Sequence, residues 1–412
     1  MLMGARLGLW GAGKRLPYDA EVEYLESTGT QYINTGIPTS ATIRLQLTYK
    51  YTSTSAAVAG GIGVSGGLGG SASNPTRFFI NKDAYAQYNV GIGDAVDHFG
   101  SFDTALHTLT LDAQSKTFTV DNTSYTLATT SFTGGFEIPL FARRNSSGVG
   151  NFSSGQLYSC KIWDNGVLVR DLIPVRKGMT GALYDRRGVG GMNPDGSARN
   201  DGMYFNAGTG DFVLGPDVVP VEYIESHGTE YIDIPVSGTP DEYFGIKGLV
   251  KITNTSQSGL AVWDTNTYRQ FGASGYSTHN SGYMFASWIG NKNANGGWAV
   301  PIGTLAPFEV SVLGITSFGV FNSNPRNIIS AFSTLRLFGK YASYNANASA
   351  AFGTLTITDG TGNARNFLPV RVGTDATSWE GAMMDTLTRR IYRNAGTGAF
   401  TYGADLPYPI GG

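Results

Sequence analysis

Three groups of side chains in this 412-residue chain have types and spacings that could do chemistry. Paired carboxylates come first. Glu23 and Glu26 recur as Glu222 and Glu225, and two carboxyl groups flanking a glycosidic bond are the machinery of glycoside hydrolysis. On a strand, a separation of three sends the two side chains to opposite faces, so they could meet only where the strand breaks between them. No Glu-x-Asp-x-Glu run sets carboxylates together on one strand, and no catalytic residues are expected. The second group, Gly61-Ile-Gly-Val-Ser-Gly66, has the glycine spacing of a dinucleotide fingerprint. That chemistry needs a strand before it and a helix N-terminus after it. Further glycines, Ser71, Ser73 and Pro75 follow instead, so a flexible or tightly turned glycine loop is expected, and no cofactor. The third group is aromatic: Tyr276, Tyr283, Trp288 and Trp298 lie among Asn280, Asn291, Asn293 and Asn295. Flat rings cover the apolar faces of pyranoses while amides exchange hydrogen bonds with hydroxyls. Tyr276, Tyr283, Trp288, Asn291, Asn295 and Trp298 are therefore candidate glycan-binding residues, against the alternative that the rings are core or subunit interface.

Metal and thiol chemistry have less to work with. The histidines His98, His107, His227 and His279 are scattered, and the local group Asp94, Asp97 and His98 reads as a surface turn. No Asp-x-Asp-x-Asp-Gly calcium loop is present. Metal content stays open, since backbone carbonyls and one aspartate, such as Asp121 or Asp164, could hold a calcium ion. The single Cys160 excludes an intramolecular disulfide. It falls within the apolar alternation Leu157-Tyr-Ser-Cys-Lys-Ile-Trp163 and reads as a small buried core residue.

The elements that must position these groups are strands. Ile43, Leu45, Leu47, Tyr49 and Tyr51 alternate with Arg44, Gln46, Thr48 and Lys50, the period of two of a half-buried strand. Leu109-Thr-Leu111 and Phe118-Thr-Val120 repeat the pattern across Asp112–Lys116 and predict a hairpin, and Leu335-Arg-Leu337 continues it. No window carries helical apolar spacing with caps. Charged residues are 15% of the chain against roughly 25% in average domains, and the 57 glycines are about twice the usual share. A net charge of −2 gives no reason to expect nucleic acid, and no apolar run is long enough for a membrane span. The first residues, Met1–Lys14, are too short and glycine-broken in their apolar stretch for a signal peptide.

The chain also repeats itself. Val22-Glu-Tyr-Leu-Glu-Ser-Thr-Gly-Thr-Gln-Tyr-Ile33 returns as Val221-Glu-Tyr-Ile-Glu-Ser-His-Gly-Thr-Glu-Tyr-Ile232. Leu172-Ile-Pro-Val-Arg-Lys-Gly178 answers Phe367-Leu-Pro-Val-Arg-Val-Gly373, and Asn206-Ala-Gly-Thr-Gly-Asp-Phe212 answers Asn394-Ala-Gly-Thr-Gly-Ala-Phe400. A period near 200 marks a duplicated domain rather than a solenoid. The expected fold is all-β: two tandem antiparallel β-sandwiches, 21–217 and 218–412, after an N-terminal arm at 1–20. The shared segments read as framework, with tight Asn-Ala-Gly-Thr-Gly reversals and each Pro-Val-Arg proline at a strand start or edge. Differences in binding would then lie in the unshared loops near 60–100 and 265–300.

The opening Val22–Ile33 segment resembles the start of concanavalin A-like, laminin-G-like jelly-roll domains in structural proteins of tailed phages and prophages, typically those of gut bacteria. So do Lys161-Ile-Trp-Asp-Asn-Gly-Val-Leu-Val-Arg-Asp-Leu-Ile-Pro-Val-Arg176, Gly181-Ala-Leu-Tyr-Asp185 and Asn206–Pro216. The first module matches along most of its length. The second keeps both ends but carries Leu355-Thr-Ile-Thr-Asp-Gly360 in place of Trp-Asp-Asn-Gly. The resemblance implies a non-enzymatic virion protein of fibre, spike or decoration type. Its partners would be other virion proteins and host surface glycans, it would assemble as a homo-oligomer of unspecified number, and it would enter particles in the host cytoplasm without a signal peptide. Arg6, Trp10, Lys14 and Arg15 would then belong to an attachment arm, the alternative being a frayed terminus. The alternative function is a bacterial surface or secreted carbohydrate-binding protein or glycan-active enzyme.

Overall fold

The structure, a computed structural model, describes residues 16–55, 61–66, 75–82, 86–236, 245–253, 258–264, 270–279, 282–290, 292–294, 299–300, 303–311, 314–317, 320–323, 334–339, 349–374 and 378–406. Among them no helix occurs, and none therefore is long and apolar enough to cross a membrane. The chain divides into two compact units between Leu214 and Gly215. Each is a β-sandwich.

In the first unit the larger sheet runs in the order Thr123–Thr126, Thr117–Val120, Leu106–Asp112, Arg44–Tyr51, Ser154–Asp164, Val167–Lys177, Thr180–Asp185, Met203–Phe205. The alternating strand behaves as its period requires: Ile43, Leu45, Leu47, Tyr49 and Tyr51 are all buried in one apolar cluster with Leu109, Leu111 and Phe118. The expected hairpin pairs Phe118 with Leu111 and Val120 with Leu109. Cys160 lies in the same cluster with no exposure, and burial pushes its thiol well above the ordinary range. Facing this sheet is a second one, ordered Gly148–Gly150, Arg143–Asn145, Ile62–Gly66, Arg77–Lys82, Tyr88–Gly93, Ala95–Phe99. Its Arg143–Asn145 and Ile62–Gly66 strands run parallel, in a unit whose other described strands pair antiparallel apart from a single parallel bridge between Met192 and Tyr204.

The second unit repeats the larger sheet strand for strand: Val320–Ser323, Gly314–Ser317, Ala306–Ser311, Gly245–Ile252, Ser349–Thr358, Ala364–Gly373, Glu380–Asp385, Ile391–Tyr392. Its second sheet differs. Ile232–Pro235 and Thr334–Leu337 join Ser258–Asp264, Gln270–His279, Gly282–Gly290 and Lys292–Ala294 in one sheet. The corresponding strands of the first unit, Ile33–Pro38 and Glu137–Leu140, form a separate pair.

Two sequence expectations fail here. Ile62–Gly66 is a strand, not a glycine loop. Ile62 and Val64 are buried, while Gly63 has φ +107° and is pressed against the Phe78 carbonyl, where a Cβ would collide. The glycine therefore serves close approach. Pro174 and Pro369 also lie inside strands rather than at a start or edge. Each faces the point where the entering chain breaks. Ala20–Glu21 pairs with Val167–Lys177, residues 22–24 bend, and Leu25–Thr28 continues against Ser154–Asp164. At that break the Val22 N–H donates to the Pro174 carbonyl at 3.1 Å, and Val221 does the same to Pro369 at 3.0 Å. Proline can accept but not return a bond at this last paired position, so its missing N–H falls where the pairing ends rather than within a continuous ladder.

The departure at Leu355–Gly360 is a change of turn. In the first unit Asn165 (φ 49°) and Gly166 (φ 74°) make a two-residue hairpin loop with the left-handed pair of a type I′ turn. In the second, the longer loop from Asp359 to Asn363 is held by the Asp359 carboxylate. Its Oδ1 accepts the Thr361 N–H at 2.9 Å, the Thr361 hydroxyl at 2.6 Å and the Asn363 N–H at 3.1 Å.

Candidate functional site

The residues singled out from sequence fall unevenly on the described structure. Arg6, Trp10, Lys14 and Arg15, and likewise Asn291, Asn295 and Trp298, lie outside the described residues. Tyr276 sits on Gln270–His279, opposite Met284; Tyr283 and Trp288 sit on Gly282–Gly290, opposite Val300 and Asn293 respectively. These two strands are the counterparts, in the second unit, of Arg77–Lys82 and Tyr88–Gly93 in the first.

The paired glutamates go elsewhere. The strand does break between Glu23 and Glu26. Glu26 Oε2 accepts the Gln156 amide at 2.6 Å, and Glu225 pairs with Lys251 at 2.7 Å. Asp94 occupies a turn whose carboxylate accepts the N–H groups of Thr130 (2.9 Å) and Ser131 (3.1 Å) and the Thr130 hydroxyl. That hydroxyl and those amides hold its pKa far below the usual carboxylate range. Asp97 and His98 belong to the adjoining strand Ala95–Phe99. Asp121 and Asp164 are both engaged by protein groups. Asp164 Oδ1 accepts Ser40 and Thr42 hydroxyls at 2.6 and 2.7 Å, and Asp121 bonds His107 Nδ1 at 2.7 Å. Among the described residues no group of three or more His, Cys, Asp or Glu side chains is arranged to hold a metal ion.

The repeated segments prove to be one device. Asn206 Oδ1 accepts the Tyr32 N–H at 3.1 Å and the Gly208 N–H at 2.8 Å, while its amide donates to the Gly210 carbonyl. Ala207 and Thr209 N–H groups donate to Tyr32 and Thr30 carbonyls. Asn394 repeats every one of these bonds with Tyr231, Gly396 and Gly398, and Ala395 and Thr397 repeat the backbone pair. The first glycine of each Asn-Ala-Gly-Thr-Gly lies so close to the Thr30 or Thr229 carbonyl that no Cβ fits, and the second holds φ +71° or +83°. The opposite ends of each module are thus clasped together. Gln31 and Glu230 complete the clasp by accepting the N–H of Thr28 or His227 and the hydroxyl of Ser27 or Ser226.

A second duplicated constellation went unrecognised in sequence. Asp185 and Asp385 are 0% and 1% exposed at the side chain. Asp185 Oδ1 accepts the Arg187 N–H at 3.1 Å, and Asp385 Oδ1 accepts the Leu387 N–H at 2.9 Å. In each case Oδ2 meets no hydrogen-bond donor. It faces an arginine at 4.0 Å (Arg170) or 3.8 Å (Arg365), and that arginine lies against Tyr204 or Tyr392. Burial raises the Asp185 carboxyl above its ordinary value, against the lowering by two backbone N–H groups and Arg170. This is an internal strut.

Among the described residues, one surface with groups left to bind something is the outward face of the second sheet in the first unit. Phe78, Ile80, Tyr88, Val90 and Ile92 point into the core, so the alternating positions Arg77, Phe79, Asn81, Asn89 and Gly91 point out. Register sets Asn81, Asn89 and His98 in one row, and Arg143, Gly63, Phe79, Gly91 and Val96 in the next. The Phe79 ring lies flat over Gly91 and the Arg143 chain over Gly61, positions where a Cβ would collide with each. The Arg143 guanidinium stacks on Phe79 with its carbon 4.9 Å from the ring centroid. Burial draws that guanidinium below its usual pKa. Arg143 Nε and Asn89 Oδ1 are buried atoms with no hydrogen-bond partner. The unshared region near 60–100 therefore contributes sheet, not only loop.

No protein-family model matches the sequence, and no curated protein matches it. Among solved structures, domains LG4-5 of the mouse laminin alpha1 chain align over 86% of this chain and 93% of theirs, with 10% identity and a TM-score of 0.25. The NanB sialidase of Streptococcus pneumoniae aligns over 89% of this chain and 75% of its own, with 9% identity and a TM-score of 0.26. The assignment to β-sandwiches rests on the strand order and cores described above.

Proposed function

We propose that the protein is a non-enzymatic virion component of fibre, spike or decoration type, whose two β-sandwiches display surfaces for host-glycan contact or for packing against neighbouring copies and other virion proteins. The observation that supports this reading is the uneven divergence of the two units. The asparagine bonds of the clasp are kept one for one and the larger sheet strand for strand, whereas the second sheets differ in strand order and in the residues they carry. A duplicated framework with a free second face suits display, where each copy keeps its fold and changes what it presents. The phage setting rests on the sequence resemblance and is tested by particle composition. Mass spectrometry of purified particles from a lysogen carrying this gene is expected to find the chain at fixed stoichiometry to capsid or tail proteins, and cryo-EM to place it on the exterior. Its absence from particles, together with release of reducing sugar from host polysaccharide, would establish the glycan-active enzyme instead.

A further inference from the structure

The described positions on the outward face of the second sheet in the first unit carry charge of one sign. Among its described outward positions are Arg77 and Arg143, and no carboxylate. Arg77 is tied at one end of the sheet, donating to the Asp94 carbonyl at 3.2 Å. Arg143 is held differently. Its stem lies over Gly61 and its plane on Phe79, and among the described residues it has no ion-pair partner. A guanidinium stacked on an aromatic ring keeps its edge available, and that edge matches a carboxylate in two-point geometry. The buried Asn89 Oδ1 asks for the opposite, a hydroxyl or amine donor.

Resting on the glycan-contact reading above, we propose that this face binds an acidic oligosaccharide, with Arg143 anchoring a sugar carboxylate and the Asn81–Asn89 row receiving hydroxyls further along the chain. Neutral sugars supply the hydroxyls but nothing for Arg143; a small carboxylate supplies the anion but cannot reach the amides. The backbones of Arg143 and Asn89 lie three strands apart, roughly 14 Å at the usual spacing between strands, and the Arg143 side chain spans part of that gap by reaching over Phe79. The ligand is therefore an oligosaccharide that carries a carboxylate at the Arg143 end and hydroxyls beyond it, rather than a single sugar residue. The glycines under Phe79 and Arg143 fit this role, since they let a ring and a guanidinium lie flat on the sheet and keep the face shallow enough for an extended chain.

Matched probes test the assignment with the full chain. Calorimetric titrations would compare oligogalacturonate with its methyl ester, and sialyllactose with lactose, at low and at high salt. At least one acidic probe is expected to bind tenfold or more tightly than its neutral partner, with the preference shrinking as salt rises. Arg143→Gln is expected to abolish the preference, and Arg143→Lys to keep only part of it, because the charge remains without the fork. Should Arg143→Gln fail to fold, the double variant Asn81→Ala, Asn89→Ala reports from the other end of the face. It is expected to weaken oligogalacturonate severalfold without affecting galacturonic acid monomer. Equal binding of acidic and neutral partners, or acidic binding untouched by both sets of variants, overturns the acidic-ligand assignment and leaves glycan contact standing. No binding of any probe, repeated on a broad glycan array, removes both.

Discussion

Asn206 accepts the backbone N–H of Tyr32 at 3.1 Å across 174 intervening steps of chain, and so ties the last strands of the first module to its first. The same side chain accepts Gly208 N–H and donates to Gly210, so one amide both shapes the reversal and clasps it. Asn394 does this for the second module through Tyr231. Retention of both segments in both copies follows from this mutual bonding, since neither half of the clasp has its partners without the other.

Removing the clasp at Asn206 is expected to be costly. Asn206→Ala leaves two N–H groups without their acceptor and one carbonyl without its donor, and a loss of about 2–4 kcal/mol is expected. Asn206→Asp keeps the acceptor but turns a carboxylate oxygen toward the Gly210 carbonyl in place of the donated bond, and a smaller loss of about 1–2 kcal/mol is expected. Urea denaturation of the full chain measures both. An Asn206→Ala protein as stable as the parent would mean that the module ends are held by packing alone.

The buried carboxylate Asp185 gives a pH-dependent prediction. Its folded pKa is raised by burial above the unfolded value, so its contribution to stability is fully present below the unfolded carboxylate range, near 3.9, and is lost as pH rises through the folded value. Asp185→Asn keeps an oxygen to accept the Arg187 N–H and carries no charge. It is expected to match or exceed the parent above pH 6, with the advantage fading toward pH 3. A variant weaker than the parent by more than about 2 kcal/mol at pH 7 would show instead that the Arg170 charge holds the carboxylate favourably.

Much of the framework was legible in sequence because burial imposes a period. Ile43 to Tyr51 alternate because one face meets the core and the other does not, and Leu109–Leu111 with Phe118–Val120 announced their hairpin the same way. Composition misled where glycine served a purpose other than turning. Ile62–Gly66 carries the residues of a loop because Gly63 sits against the Phe78 carbonyl, as Gly61 just before it sits against the Arg143 chain and Gly91 two strands away against the Phe79 ring. Pro174 was misplaced because it faces the end of a strand pairing whose partner, Val22, lies 152 residues earlier in the chain. The Arg170–Asp185–Tyr204 strut escaped because its counterparts recur at offsets of 195, 200 and 188, so no single shift aligns all three. Extending the Leu172 and Phe367 match back by two residues would have found Arg170 and Arg365. The Arg143–Phe79 stack carried no such signal, since it depends on a parallel pairing between strands some eighty residues apart.

His107 closes one end of the first core. It bonds Asp121 Oδ2 at 2.7 Å and Asp103 Oδ1 at 2.9 Å, with the Tyr88 ring edge-on at 6.5 Å. The Asp121 bond raises its pKa, burial opposes this, and Asp103 adds to the rise. A raised histidine contributes stability that is complete below the unfolded value, near 6.5, and is lost as pH climbs through the folded one. His107→Gln is therefore expected to be less stable than the parent at pH 5.5, with the gap narrowing by pH 9. Thermal melts across that range decide it, and a gap that stays constant would mean that only the hydrogen bonds, not the charge, matter.

Gly91 tests whether the outward face is built or incidental. The Phe79 ring occupies the space above Gly91, Phe79 is 5% exposed, and the Arg143 guanidinium stacks on the same ring. A methyl group at Gly91 must push the ring away, and crowding of this kind costs about 1–3 kcal/mol. Gly91→Ala alone is expected to show that loss in urea denaturation. Phe79→Ala in the same chain vacates the space, so the cost of Gly91→Ala should nearly vanish in the double variant. That difference is a coupling energy of about 1 kcal/mol or more, as expected for residues in direct contact. Additive effects would show that ring and glycine do not meet, and the flat platform under Arg143 would go with them.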